Sequence, residues 1–311
     1  MTDDVLSELL RPLRLSDIFY SRWQAGGEWG VQGEDDSCAV LHYMLSNECF
    51  IDFRDGSPPI RLGAGDLAVF PYGTAHTFAN RAHAVAAQPL KSVLPERTPG
   101  SSDVVTIGSE PSDTEMLCAS LHYDRTAEPA LYRALPRVIV LRWDMLTEEP
   151  LLHGTLCSLA SEIARTSPGS GLVVLRAFEM VFVLALRTAL ERLTELSPAL
   201  QALRHPGISA SLVAIYRDYA RPWTVETLAR EAGMSRSVFS ETFRALVGDS
   251  PARHLTARRL QEARALLSDG SVALGDIPAR IGYQSNVGFH LAFRREFATT
   301  PGAYRQALKP A

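Results

Sequence analysis

Lysine is almost missing from this sequence. Two of its 31 basic residues are Lys and the rest are Arg. Its cationic side chains are therefore planar forks that pair bidentately with phosphate or guanine, not point charges. Cysteine is scarce too: the four residues at 38, 49, 118 and 157 lie scattered. That excludes a metal-finger array and a disulfide framework, and it fits reduced cytosolic thiols. No long hydrophobic run is present. The most apolar stretch, residues 172–186, is too short for a bilayer and contains Arg176 and Glu179. The opening MTDDVLSELL is acidic and amphipathic, with neither a basic start nor a cleavage site. A cytoplasmic protein without membrane contact is expected.

What is there is enough for two domains with ordinary cores: 311 residues, 46% hydrophobic and 21% charged. The net charge of −4 hides an asymmetry. Residues 205–311 carry 14 basic and 9 acidic side chains, against 17 and 26 in residues 1–204. A basic C-terminal part suits a polyanionic partner; the acidic remainder does not.

The C-terminal part holds one pattern written twice. The first copy is WTVETLAREAGMSRSVFSETFR, 223–244, and the second GDIPARIGYQSNVGFHLAFRR, 275–295. Leu228 aligns with Ile277, Gly233 with Gly282, Phe239 with Phe289, and Phe243-Arg244 with Phe293-Arg294. Each copy reads as a short helix, a glycine, a polar turn and a second amphipathic helix. The glycine supplies a positive φ at the bend, and Ser235 and Ser285 stand where a hydroxyl caps the second helix. The unit is a helix-turn-helix, whose second helix enters the DNA major groove. Pro278 stands where the first copy has Ala229. The first helix of the second copy must therefore begin late, near Asp276 or Ile277, because proline is tolerated only in a first turn.

The run IGYQSNVGFHLAFRREFATTPGAYR, 281–305, resembles the C-terminal signature of AraC/XylS-type transcription regulators. Gly282-Tyr283, Ser285, Phe289, Phe293-Arg294, Phe297, Thr300-Pro301 and Tyr304-Arg305 carry the likeness. Residues 251–267 look like that family's linking helix. The resemblance implies double-stranded DNA as partner, with RNA polymerase and a second copy of the chain as further partners. DNA contacts are expected from Arg236, Ser237, Ser240, Glu241 and Arg244 in the first unit. In the second they are expected from Asn286, His290, Arg294 and Arg295. The paired phenylalanines should face the core.

Residues 1 to about 125 read mainly as short strands separated by Gly, Pro, Asn and Asp. The segment GDLAVFPYGTAHTFAN, 65–80, has the spacing of the second cupin motif. LHYMLSNECFIDF, 41–53, resembles the first, with Met44 in place of the second histidine. Within the regulator family this half is similar to the cupin-type sensor domain, which implies a small effector inside a barrel. Trp29, His42, Phe70 and His76 are the pocket candidates, with Trp23, Phe50 and Phe78 as further aromatics. A divalent metal held by His42, Glu48 and His76 is an alternative, with His122 outside the motif. Thiol sensing through Cys49 or Cys118 is another, and a metal-dependent cupin enzyme a third. Otherwise the chain has no catalytic site and no cofactor.

The expected architecture is α+β. An N-terminal cupin-like β-barrel (jelly roll) with trailing helices fills 1–196, a linker 197–206, and an all-α DNA-binding domain with two helix-turn-helix units 207–311. Residues 97–103 read as a loop over the barrel and 135–143 as a last strand. Helices follow at 151–165 and 172–193, the second apolar on so many sides that it packs on the barrel or forms a dimer interface. A helix at 208–221 opens the DNA-binding part.

Overall fold

The computed structural model describes residues 4–11, 15–36, 38–84, 86–94, 102–123, 130–163, 167–193 and 197–308. The chain divides into two compact units. One comprises Leu15–Tyr123 and Pro136–Thr194; the other comprises Met1–Arg14, Asp124–Leu135 and Glu195–Ala311.

The first unit is built on two sheets. Its strands are β1 (Leu15–Gly26), β2 (Gly30–Gln32), β3 (Cys38–Ser46), β4 (Glu48–Asp52), β5 (Ile60–Gly63) and β6 (Leu67–Phe70). They continue with β7 (Thr77–Ala79), β8 (Gln88–Pro89), β9 (Ser102–Gly108), β10 (Thr114–Tyr123) and β11 (Ile139–Leu141). The larger sheet runs β11-β6-β3-β10-β1-β9 and the smaller β5-β4-β7-β2-β8. One core joins them: Trp23, Met44, Phe70 and Met116 from the larger sheet meet Val31, Cys49, Ile51 and Phe78 from the smaller. The expected β-barrel is thus realised as a pair of sheets over a shared core, and strands such as β6 and β10 are buried along nearly their whole length.

The helices among the described residues are α1 (Val5–Leu10), α2 (Leu90–Val93), α3 (Ala130–Arg133), α4 (Trp143–Thr147), α5 (Pro150–Glu162), α6 (Ser170–Arg192) and α7 (Pro198–Arg204). They continue with α8 (Pro206–Arg217), α9 (Val225–Glu231), α10 (Arg236–Val247), α11 (Pro251–Asp269), α12 (Ile277–Arg280), α13 (Asn286–Phe297) and α14 (Pro301–Ala307). In the sheet unit α5 packs on α6, and α6 lies on β1, β10 and β11. Its outer side leaves Leu172, Val173, Met180 and Val183 exposed. No described helix is long and apolar enough to cross a membrane.

The second unit departs from the expected boundaries. The expected linker contains α7, N-capped by the Ser197 side chain, with Ala199, Leu200, Ala202 and Leu203 buried. It packs on α10 and so supports the first recognition helix. Helix α1 packs on α8, where the buried carboxylate of Glu8 accepts from Arg217 Nε at 2.8 Å. Helix α3 packs on α11. The two units are therefore interleaved in sequence, not consecutive. The expected loop over the barrel lies largely outside the described residues; Ser102 and Asp103 belong to β9.

Candidate nucleic-acid interface and effector cavity

In the first helix-turn-helix, α9 starts from a capping box at Thr224 and Thr227. It turns at Gly233, φ 64°, into α10. Phe239 and Phe243 are fully buried and meet edge to face at 5.5 Å. Phe243 then contacts the ring of His254 on α11. His254 is buried against the Tyr216 hydroxyl at 3.3 Å, and burial lowers its pKa to about 4.

The second unit repeats the plan with a shorter support. Helix α12 has four residues, with Pro278 in its first turn, as the proline requires. Gly282, φ 81°, makes the turn, and Ser285 Oγ accepts from Gly288 N–H at 3.1 Å to cap α13. Ser235 makes no such cap bond. Phe289 and Phe293 are fully buried, and Phe293 meets Tyr304 of α14 at 5.7 Å. The terminal signature is structural: Thr300 caps α14, and Arg305 donates to the Val272 carbonyl at 2.8 Å. Helix α11, 19 residues or roughly 28 Å long, links the two units and ends at Gly270.

Hiding one phenylalanine pair per recognition helix leaves the opposite face outward. Arg236, Ser237, Glu241 and Arg244 are exposed on α10, and Asn286, His290, Arg294 and Arg295 on α13. Among the described residues, Arg244, Arg294 and Arg295 have no ion-pair partner, while Arg236 pairs with Glu226 at 2.8 Å. Ser240 is the exception. It is half-buried, and its hydroxyl donates to the Arg236 carbonyl one turn back at 2.8 Å, so it is occupied within its own helix. Sequence reasoning missed Val238, Val287 and Leu291, which are 50%, 70% and 66% exposed. Val287 and Leu291 are one turn apart and run beside His290 and Arg294. That stripe is written in the sequence as two apolar residues four apart, off the phenylalanine face of the helix.

The sheet unit holds a cavity of about 70 Å³ lined by Phe19, Trp23, Val40, His42, His76, Phe78, Leu90, Cys118 and Ser120 among others. Its polar end is a directed chain. The Thr74 carbonyl only accepts, so His76 Nδ1 donates to it at 2.7 Å. Neutral His76 then accepts at Nε2 from His42 Nε2–H, 2.9 Å away. That leaves His42 Nδ1 as the acceptor for the Cys118 thiol at 3.0 Å. Burial keeps both rings neutral, pushing His42 well below its usual pKa and His76 down to about 4. Chemically, His42 is a neutral acceptor that orients one thiol.

Of the expected pocket residues, Trp23, His42, His76 and Phe78 line the cavity, and Phe50 does not. Trp29 and Phe70 do not: both are buried in the inter-sheet core, Phe70 stacked on His76 at 3.9 Å. The cupin metal set does not converge. Glu48 sits on β4 of the other sheet, paired with Arg61 at 2.5 Å, and the facing nitrogens of His42 and His76 are bonded to each other. Cys49 is a poor redox centre, since it is fully buried against Met44 and its thiol is pushed up to about 12.

The Cupin family model matches residues 4–191 and the Helix-turn-helix domain model residues 228–307. The chain is 28% identical over 307 residues to the HTH-type transcriptional regulator AlkR of Acinetobacter baylyi, covering 97% of this chain and 99% of that protein. It is 26% identical over 304 residues to a putative AraC-like transcription regulator of Streptomyces lividans, covering 97% and 98%. It is 31% identical over 197 residues to the RCS-specific HTH-type transcriptional activator RclR of Escherichia coli, covering 63% and 69%. With a cupin half, a double helix-turn-helix half and such relatives along nearly its whole length, this chain belongs to the AraC-type transcriptional regulators with an N-terminal cupin domain.

Proposed function

We propose that α10 and α13 read DNA through Arg236, Ser237, Glu241 and Arg244 and through Asn286, His290, Arg294 and Arg295. Val287 and Leu291 add contact to thymine methyl groups. The observation that carries this is the burial of Phe239, Phe243, Phe289 and Phe293, which turns one polar, Arg-bearing face of each helix to solvent. Asn pairs with adenine and Arg with guanine, and apolar side chains meet the thymine methyl. Selection of bound duplexes from a random library tests it. Enrichment of one motif with two half-sites about one helical turn apart is expected; recovery of unenriched DNA overturns it.

The cupin half is a sensor and not an enzyme in this reading. Its cavity holds roughly five water molecules at ~10–15 Å³ each. The effector it fits is therefore small, apolar over the Phe19, Val40, Phe78 and Leu90 walls, with one polar group at the His42–His76 end. The effector shifts DNA affinity only by binding two states of the protein unequally. The Cys118 contact with His42 favours a second reading, in which the signal is an oxidant sensed by that thiol. A Cys118→Ser variant that responds fully to the oxidant rules the second reading out. The protein acts in the cytoplasm, beside RNA polymerase. The exposed Leu172, Val173, Met180 and Val183 of α6 support pairing of two copies across that helix.

A further inference from the structure

We propose that Asp36, Cys38 and His122 form a binding site for a divalent transition-metal ion of the zinc class. One carboxylate oxygen, one thiol sulfur and one imidazole nitrogen lie within 4.8 Å of one another. They are not the residues of the cupin motifs, and the proposal does not rest on the reading of the cavity.

The backbone brings these donors together. Cys38 opens β3, and His122 is the last but one residue of β10. The two are direct partners in the antiparallel ladder. Facing residues of such a ladder have Cβ atoms ~4.5–5.5 Å apart on one side of the sheet, so thiol and ring meet without strain. Asp36 enters from the segment before β3, its N–H donating to the Gly73 carbonyl at 3.0 Å. Gly73 is the required residue there. Its φ is +62°, and a Cβ at that position would lie 2.6 Å from the Asp36 carbonyl oxygen and 2.7 Å from that of Cys38. The Pro71-Tyr72-Gly73 turn thus fixes the height at which Asp36 and Cys38 stand. The Phe19 ring lies edge-on to His122 at 5.1 Å and limits its rotation.

The donor types select the ion. Mixed sulfur, nitrogen and oxygen ligands suit zinc and its neighbours, whereas calcium and magnesium take oxygen. Tetrahedral bonds of about 2.0–2.3 Å need donors about 3.3–3.8 Å apart, so no pair of donors has to close by more than roughly 1.5 Å on loading. Cys38 is fully buried and Asp36 exposed, so the carboxylate is the solvent-side ligand. A buried thiolate is costly unless a cation neutralises it, and a bound metal does that. Three protein ligands leave a fourth place for water or an anionic group.

The same sheet carries an internal comparison. Four residues along, Cys118 faces His42 in the same ladder with the roles of the strands exchanged, roughly 13 Å away. There the imidazole nitrogens are bonded to the Cys118 sulfur and to His76.

The test uses the full chain, stripped with chelator and dialysed against Zn²⁺ alone, then Co²⁺ alone. One equivalent per chain is expected, with the near-ultraviolet thiolate-to-cobalt charge-transfer band. Cys38→Ser should abolish the band, and Asp36→Asn should weaken zinc binding at least tenfold. Cys157→Ser and Cys118→Ser should change neither. The proposal is overturned if the wild type takes up no stoichiometric metal, if the band survives in Cys38→Ser, or if it disappears in Cys157→Ser. Should Cys38→Ser fail to fold, Asp36→Asn decides, since that side chain is exposed; unchanged zinc affinity there overturns the proposal.

Discussion

A Cβ placed on Gly282 would lie 2.3 Å from the carbonyl oxygen of Ala220. The equivalent glycine of the first unit, Gly233, has positive φ but nothing within 4 Å. The two turns look alike in sequence and differ in what they tolerate. Gly233→Ala meets only the cost of a left-handed Ala, about 1 kcal/mol. Gly282→Ala adds a clash with fixed backbone and should cost at least about 3 kcal/mol. Urea unfolding followed by tryptophan fluorescence measures both, and the order of the two should not reverse.

Acid should weaken both units. Burial lowers His42 in the sheet unit, and it lowers His76 and His254 to about 4, against an ordinary value of 6.5. As pH falls from 6.5 toward 4, the unfolded chain takes up protons that these folded sites refuse. Stability therefore drops by about 1.4 kcal/mol per pH unit for each such histidine, and above about pH 7 these groups make no difference. Melting temperatures between pH 7.5 and 5 should fall accordingly, and His254→Gln should flatten the slope of the DNA-binding unit.

Glu226 holds Arg236 in an exposed ion pair. DNA must compete for that guanidinium. Glu226→Gln releases it and removes a negative charge near the duplex, so DNA affinity should rise a few-fold and most at low salt. Fluorescence anisotropy across a salt series checks this.

Val287 and Leu291 stand beside polar readers, and their predicted role is apolar contact with thymine. Leu291→Ala should cost about 1–2 kcal/mol at a site with thymine under the second unit, and less when that thymine is replaced by uracil, which lacks the methyl. Equal losses on both duplexes would remove Leu291 from the interface.

Filling the cavity separates sensing from DNA binding. Val40→Phe projects into it beside His42 and should abolish the effector response while DNA affinity in the absence of effector stays within twofold. Overpacking there should cost about 1–3 kcal/mol in stability. A response that survives would place the effector elsewhere.

The helical half was readable because its signals are local. Gly233 and Gly282 mark bends, Ser285 marks a cap where the matching Ser235 makes none, Pro278 marks a late start, and the phenylalanine pairs mark the buried face. The sheet half was readable as strands but not as a site. His42 and Cys118 are 76 residues apart, and only the β3–β10 register puts a thiol against an imidazole. Trp29 and Phe70 misled because an aromatic near a motif histidine looks the same in sequence whether it lines a cavity or fills a core. The interleaving of the two units was hidden for a related reason. The amphipathic start of the chain gave no hint that Glu8 would find Arg217.

Helices α10 and α13 are expected to enter neighbouring major grooves. Hydroxyl-radical footprinting on the selected site tests it directly, comparing the wild type with Arg236→Ala and Arg294→Ala. Two protected patches about one helical turn apart are predicted, one weakened selectively by Arg236→Ala and the other by Arg294→Ala. A single patch, or the same uniform loss from both substitutions, would contradict it.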